Sequence, residues 1–157
     1  MKKFVPKKIL VPVDFSDFSK GALVTAADIA TNLPGAEITV LHVMAEPQAS
    51  VPYEVYVDWQ KVKNDIKADA ERMLKQMVER NGIAQRAQTR LLWGDPSSLI
   101  VKVAKEGNFD VIVMATHGRT GINRLFMGSV AESVMRHSPC PVLVLREEYD
   151  ILSRNAA

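Results

Sequence analysis

Short, almost continuously apolar runs alternate with helical stretches along the whole chain, and that alternation leaves few folds open. The runs are residues 7–13 (K-K-I-L-V-P-V), 36–44 (A-E-I-T-V-L-H-V-M), 85–93 (Q-R-A-Q-T-R-L-L-W), 109–115 (F-D-V-I-V-M-A) and 141–146 (P-V-L-V-L-R). A strand that is apolar along its length is buried on both faces, which points to a parallel sheet with helices packed above and below it. The run at 85–93 is more polar and is expected at or near an edge. Right-handed crossovers then favour a doubly wound α/β sheet, with a crevice outside the strand ends where the strand order reverses.

The stretches between the runs carry helix signals. Leu23, Ala26, Ala27, Ala30 and Leu33 recur at helical spacing, Ser16 or Asp17 offers an N-cap, and Asn32 with Pro34-Gly35 stops the helix, which predicts a helix over 18–32. A second, longer helix is expected to bury Val62, Ile66, Ala70, Met73 or Leu74, and Met77, and to stop at Asn81-Gly82. Asp95 followed by Pro96 marks the start of a third, with Leu99, Ile100, Val103 and Ala104 inward and Gly107 closing it. The fourth is expected over 129–137, with Val130, Val134 and Met135 inward. Residues 45–58, with two prolines and small polar residues, are expected to form a surface loop or flap, and 147–157 a loose tail. At 157 residues the chain is expected to be one domain, spanning 1–146.

Charge excludes more than it suggests. Twenty basic and 18 acidic side chains leave a net charge of +2, too weak to argue for a nucleic-acid or membrane partner. No window approaches the roughly 18 apolar residues of a membrane span, and Pro6, Lys7, Lys8 and Asp14 break any signal-like opening, so a cytoplasmic location is expected. The single cysteine, Cys140, between Pro139 and Pro141, rules out an intrachain disulfide and is expected to be a small half-buried filler. His42, within a strand, is expected to be packed.

The chemistry concentrates at residues 109–130. The apolar run Val111–Ala115 stops abruptly, a polar loop with Gly118 and Gly121 follows, and helical spacing resumes after Gly128-Ser129. A strand–loop–helix junction presents backbone N–H groups and the positive end of a helix, which suits an anion, most often the phosphate of a nucleotide. Neither G-x-x-x-x-G-K-[ST] nor a G-x-G-x-x-G after the first strand is present. The first β-to-α turn carries a carboxylate instead, Asp14, which would repel phosphate but accept hydrogen bonds from ribose hydroxyls. Its plainer use is contact with a helix N-terminus. Ser129 likewise reads as a simple N-cap, or as a cap whose hydroxyl also meets a phosphate.

These residues together resemble the universal stress protein family over residues 6–146. The family's nucleotide-binding members carry Gly, two residues, Gly, nine residues, then Gly and Ser or Thr. Here the register is Ala115, Thr116-His117, Gly118, nine residues from Arg119 to Met127, then Gly128-Ser129. V-P-V-D-F-S at 11–16, L-H-V at 41–43, W-G-D-P at 93–96 and S-P-C-P-V-L-V at 138–144 extend the match. The resemblance implies five parallel strands in the order 3-2-1-4-5 and an ATP ligand with Mg or Mn on its phosphates. It implies that Asp14 holds the ribose and that Val43 meets the adenine edge through its backbone with Pro12 nearby. Gly118, Gly128, Ser129 and Val130 would bind phosphates, and Ala115 stands where the signature has its first glycine. It also implies a homodimer through the fifth strand, Val142 to Leu145.

Arg119 and Arg124 are further phosphate candidates. His117 alone does not make a catalytic set, because no nucleophile, base and orienting group can be read together. The expected function is a nucleotide-liganded switch in stress response or signalling, at most a slow ATPase. A protein-interaction module of the same fold without nucleotide, and a true hydrolase or phosphotransferase, are the rival readings.

Overall fold

The computed structural model describes residues 4–46, 57–116 and 127–145. In chain order these form β1 (Lys8–Pro12), α1 (Asp17–Thr31), β2 (Glu37–Met44), α2 (Trp59–Arg80), β3 (Ala87–Trp93), α3 (Pro96–Glu106), β4 (Val111–Ala115), α4 (Ser129–His137) and β5 (Val142–Leu145). The strands pair in parallel in the order β3-β2-β1-β4-β5, as expected. The polar run at 85–93 is indeed an edge strand. The alternation of side chains along each strand splits the core into two layers. Ile9, Val11, Ile38, Val40 and Val113 pack with α1 and α2 on one face, and Leu10, Leu41, Ile112 and Met114 with α3 and α4 on the other.

The helix boundaries follow from their caps. Ser16 accepts the Ser19 N–H at the start of α1, and Asp95 accepts the Ser98 N–H at the start of α3, with Pro96 in its first turn. Gly82 carries the left-handed conformation (φ +64°) after α2. At the end of α3 the left-handed residue is Asn108 (φ +50°), and Gly107 is required for space: a Cβ there would collide with the Phe109 ring. Asp110 ties β4 to β1 at the far end of the sheet, where its carboxylate accepts the Lys7 and Lys8 N–H groups at 2.8 Å. Those two bonds hold its pKa below the usual carboxylate range.

Two expected core positions, Ile66 of α2 and Met135 of α4, are about two-fifths exposed; of the alternatives Met73 and Leu74, Leu74 is the buried one. The buried residues of α2 are Ala70, Leu74, Met77 and Val78, all in its C-terminal half, while in its first half Lys63 lies over the Trp93 ring of β3. In α4 the inward pair is Ala131 and Val134. Residues 47–56 of the expected flap and the tail at 147–157 lie outside the described residues. Among the described residues, no helix is long and apolar enough to cross a membrane.

Ile112 is fully buried on central strand β4. Ile112→Ala removes that side chain and leaves a cavity, so urea unfolding monitored by circular dichroism should show a loss of about 3 kcal/mol.

Candidate functional site

The carboxyl ends of the central strands do not finish level, and the site is built from the step between them. β1 ends at Pro12, opposite Leu41, whereas β2 runs on to Met44. In a parallel strand, alternate residues turn their N–H and C=O toward alternate neighbours. The Leu41 carbonyl takes the Val13 N–H at 2.8 Å, and the Met44 carbonyl takes the Gly94 N–H at 2.9 Å. Val43 therefore turns its backbone N–H and C=O to the β1 side, beyond the point where β1 has stopped.

The turn that follows β1 is tightly tied. The Asp14 N–H donates to Ser19 Oγ (3.3 Å). Ser16 donates both its N–H (3.1 Å) and its hydroxyl (2.5 Å) to Asp14 Oδ1. Phe15, between them, has φ +67°, a conformation that costs a bulky L-residue on the order of 1 kcal/mol. Its ring lies against His42, with centroids 4.3 Å apart. The expected contact between Asp14 and a helix N-terminus is thus present, because Ser16 is the N-cap of α1.

On the other side, the junction between β4 and α4 is closed by backbone bonds. Thr116 donates its N–H (2.8 Å) and its hydroxyl (3.2 Å) to the Leu145 carbonyl, and its own carbonyl accepts the Gly128 N–H at 2.7 Å. The Gly128 amide is thereby spent within the protein. Gly128, not Ser129, is the N-cap of α4, and it supplies no side-chain bond. Ser129 is the first helical residue, so its reading as a simple cap does not hold. The first-turn N–H groups of Ser129, Val130 and Ala131 have no side-chain cap, unlike those of α1 and α3.

One cavity of about 300 Å³ joins these parts. Pro12, Asp14, Val43, Ala115, Gly128, Ser129 and Val130 all line it, so seven of the nine sequence-selected residues meet there. The other two, Gly118 and Arg119, lie outside the described residues, as do His117, Gly121 and Arg124. Ala115 does not have a positive φ, so its methyl is compatible with the backbone at this position. Val13, Ser19, Leu41, Pro96, Ile100, Met114, Thr116 and Ala131 also line the cavity and were not singled out from sequence. Pro96 and Ile100 were within reach: a right-handed crossover must begin α3 at the carboxyl ends of the strands, beside the crevice. The walls are mostly apolar, and Asp14 is the one charged side chain among the described lining residues. No group of three His, Cys, Asp or Glu among the described residues is placed to hold a metal ion.

The model of the universal stress protein family matches residues 6–146. The chain belongs to the universal stress protein family. It is 35% identical over 144 residues to a universal stress protein of Methanocaldococcus jannaschii, covering 90% of this chain and 82% of that one. Its fold is similar to that of hypothetical protein MJ0577, with a TM-score of 0.77 at 30% identity, over 90% and 96% of the two chains. Two more distant structures share the fold. One is a universal stress protein in complex with cAMP (TM-score 0.65, 23% identity, 90% and 97% covered). The other is the Archaeoglobus fulgidus protein in complex with dAMP (0.56, 24%, 89% and 98%).

Two side groups, Asp95 beside the cavity-lining Pro96 and Cys140 at the opposite end of the sheet, titrate in instructive directions. Burial pushes the Cys140 thiol up, which keeps it protonated at neutral pH and suits a packed filler. The Ser97 hydroxyl and the Ser98 N–H hold Asp95 below the usual carboxylate range. A depressed folded pKa gives stability that is present above the ordinary carboxylate pKa and is lost as pH falls through the folded value. Asp95→Ala should therefore cost about 1 kcal/mol at neutral pH. The gap between variant and wild type in thermal melts should close as the pH is taken below the carboxylate range.

Proposed function

We propose that this universal stress protein binds ATP in the cavity between β1, β2 and α4 and acts as a nucleotide-liganded dimeric switch in the cytoplasm. One observation carries the reading: a single, mostly apolar cavity is shared by the Asp14 carboxylate, the overhanging backbone of Val43 and the uncapped first turn of α4. An apolar space beside a free strand edge suits an adenine ring, whose edge hydrogen-bonds to Val43 while Pro12 packs on its face. Asp14 takes the ribose hydroxyls. The Ser129 and Val130 amides and the Ser129 hydroxyl take phosphate oxygens, where the positive end of the helix favours negative charge. Gly128 and Ala115 contribute small surfaces beside the phosphates, and Gly118, by its signature position, and Arg119, by its charge, would complete the phosphate side. The cAMP and dAMP complexes support the same reading, because they show that this fold accommodates an adenylate.

Asp14 is the sole carboxylate among the described lining residues. A divalent ion therefore enters as a ligand of the phosphates, with the Ser129 hydroxyl within the same cavity, and is not a resident ion of the protein. It would neutralise phosphate charge. A nucleophile, base and orienting group cannot be read together in the sequence, and on that ground a switch is favoured over turnover.

Titration calorimetry with ATP and Mg tests the site. Wild type should give a saturable signal, and its absence would overturn the reading. Ser129→Pro keeps a residue suited to the first helical position while deleting both a hydroxyl and an N–H. It should weaken ATP about tenfold and leave adenosine nearly unchanged. Asp14→Asn should weaken both by about fivefold.

The dimer rests on edge strand β5, which exposes Leu143. An open edge with an exposed apolar side chain is a ready template for pairing with a second copy. Leu143→Asp should convert the dimer to a monomer in sedimentation velocity without lowering the melting temperature by more than a few degrees. An unchanged sedimentation coefficient would place the contact elsewhere.

A further inference from the structure

His42 touches both neighbours of Asp14 without touching the cavity. It lies on β2, 8% exposed, 29 residues beyond Val13, and its Nδ1 is 2.7 Å from the Val13 carbonyl oxygen. A carbonyl can only accept, so Nδ1 carries the proton. The N–H of the same peptide unit, that of Asp14, donates to Ser19 Oγ. The plane joining Val13 to Asp14 is therefore tied at both ends, by β2 on one side and by α1 on the other. On the far side of Asp14, the Phe15 ring rests on the imidazole with an interplanar angle of 41°. That contact supports a residue held at φ +67°.

We infer that His42 is the positioning residue that fixes the direction of the Asp14 carboxylate, through the Val13 carbonyl and the Phe15 ring. Two backbone dihedral angles set where the Asp14 Cα–Cβ bond points, the ψ of Val13 and the φ of Asp14, and both turn with that one peptide plane; the side-chain torsions that then aim the carboxylate are held by the Ser16 bonds. Without the Nδ1–H bond the Val13 carbonyl loses its tie to the His42 ring, while the Asp14 N–H keeps its contact with Ser19. Without the ring contact, Phe15 relaxes toward negative φ and takes the chain after Asp14 with it. The Ser16 bonds to Oδ1 cannot replace this support, because they lie within the same turn and move with it. The orientation itself follows from these contacts; its consequence for ligand affinity rests on the nucleotide reading above.

Two variants separate donor from ring. His42→Phe keeps a ring for Phe15 and deletes the donor, and His42→Asn keeps a donor in the place of Nδ1 and deletes the ring. Amide hydrogen exchange in the free protein should show protection at the Asp14 and Ser16 N–H groups falling about fivefold in His42→Phe. In His42→Asn protection at Asp14 should be retained within about twofold while that at Ser16, beyond the freed Phe15, falls, with the Ile38–Leu41 ladder unchanged in both. Unchanged protection at Asp14 and Ser16 in His42→Phe would overturn the inference, and so would an equal loss across the ladder, which marks a merely structural role. A double-mutant cycle with ATP and Mg then reads the coupling. His42→Phe should weaken ATP about fivefold in the wild-type background and not at all in Asp14→Asn. An equal loss in both backgrounds would show that His42 does not act through Asp14. If wild type gives no ATP signal, the nucleotide reading falls, and the exchange measurement alone still decides the role of His42.

Discussion

The pairing of β1 with β2 on one side and β4 on the other is the constraint on which the rest of this molecule depends. It makes β1 the point where the strand order reverses, so the crossovers leaving β1 and β4 pull in opposite directions and no helix closes the space above the two strand ends. That space would be filled if the strands were of equal length. It is open because β1 finishes at Pro12 while β2 continues to Met44. The unpaired backbone of Val43 and the exposed start of α4 are two results of one topological fact. Polar backbone groups that a sheet interior would have consumed are left at the edge of an apolar space, where a ligand can satisfy them.

Much of the fold was legible because its signals are local. Continuous apolar runs specify strands buried on both faces, and the caps Ser16 and Asp95 with Pro96 lie within a turn of the residues they serve. Helix faces were less legible. Ile66 shares the helical spacing of Ala70 and Met77, yet the buried residues of α2 all lie in its C-terminal half. Periodicity gives the direction of an apolar stripe and not how far along it a partner extends. Met135 failed for the same reason: α4 is short and rests on α3 and the edge strand β5.

The site divides along the same line. Asp14, Val43 and Ser129 follow from strand ends and a motif register, which can be counted in the sequence. The Phe15 conformation cannot, because a bulky residue gives no sign of adopting positive φ and does so here against a histidine from another strand. Nor can the use of the Gly128 amide. A glycine before a helix suggests a donor for an anion, but Thr116 claims that donor, and the available amides begin one residue later.

That displacement has a physical logic. A helix N-terminus that points into a cavity needs a fixed position if its amides are to converge on one spot, yet a side-chain cap would occupy those same amides. α1 and α3 are fixed by caps and present nothing. α4 is fixed without one: the Gly128 N–H closes back onto Thr116, whose N–H and hydroxyl are themselves held by Leu145 on the neighbouring strand. The anchoring bond is made by the residue before the first turn, so the first turn stays uncapped while the helix start is tied to the sheet. His42 on the opposite side follows a related pattern, because it holds the Val13 peptide, one step before Asp14. In both walls a residue that fixes the geometry is one step removed from the group that faces the cavity: the first-turn amides of α4 stay uncapped, and at Asp14 the Ser16 bonds engage Oδ1.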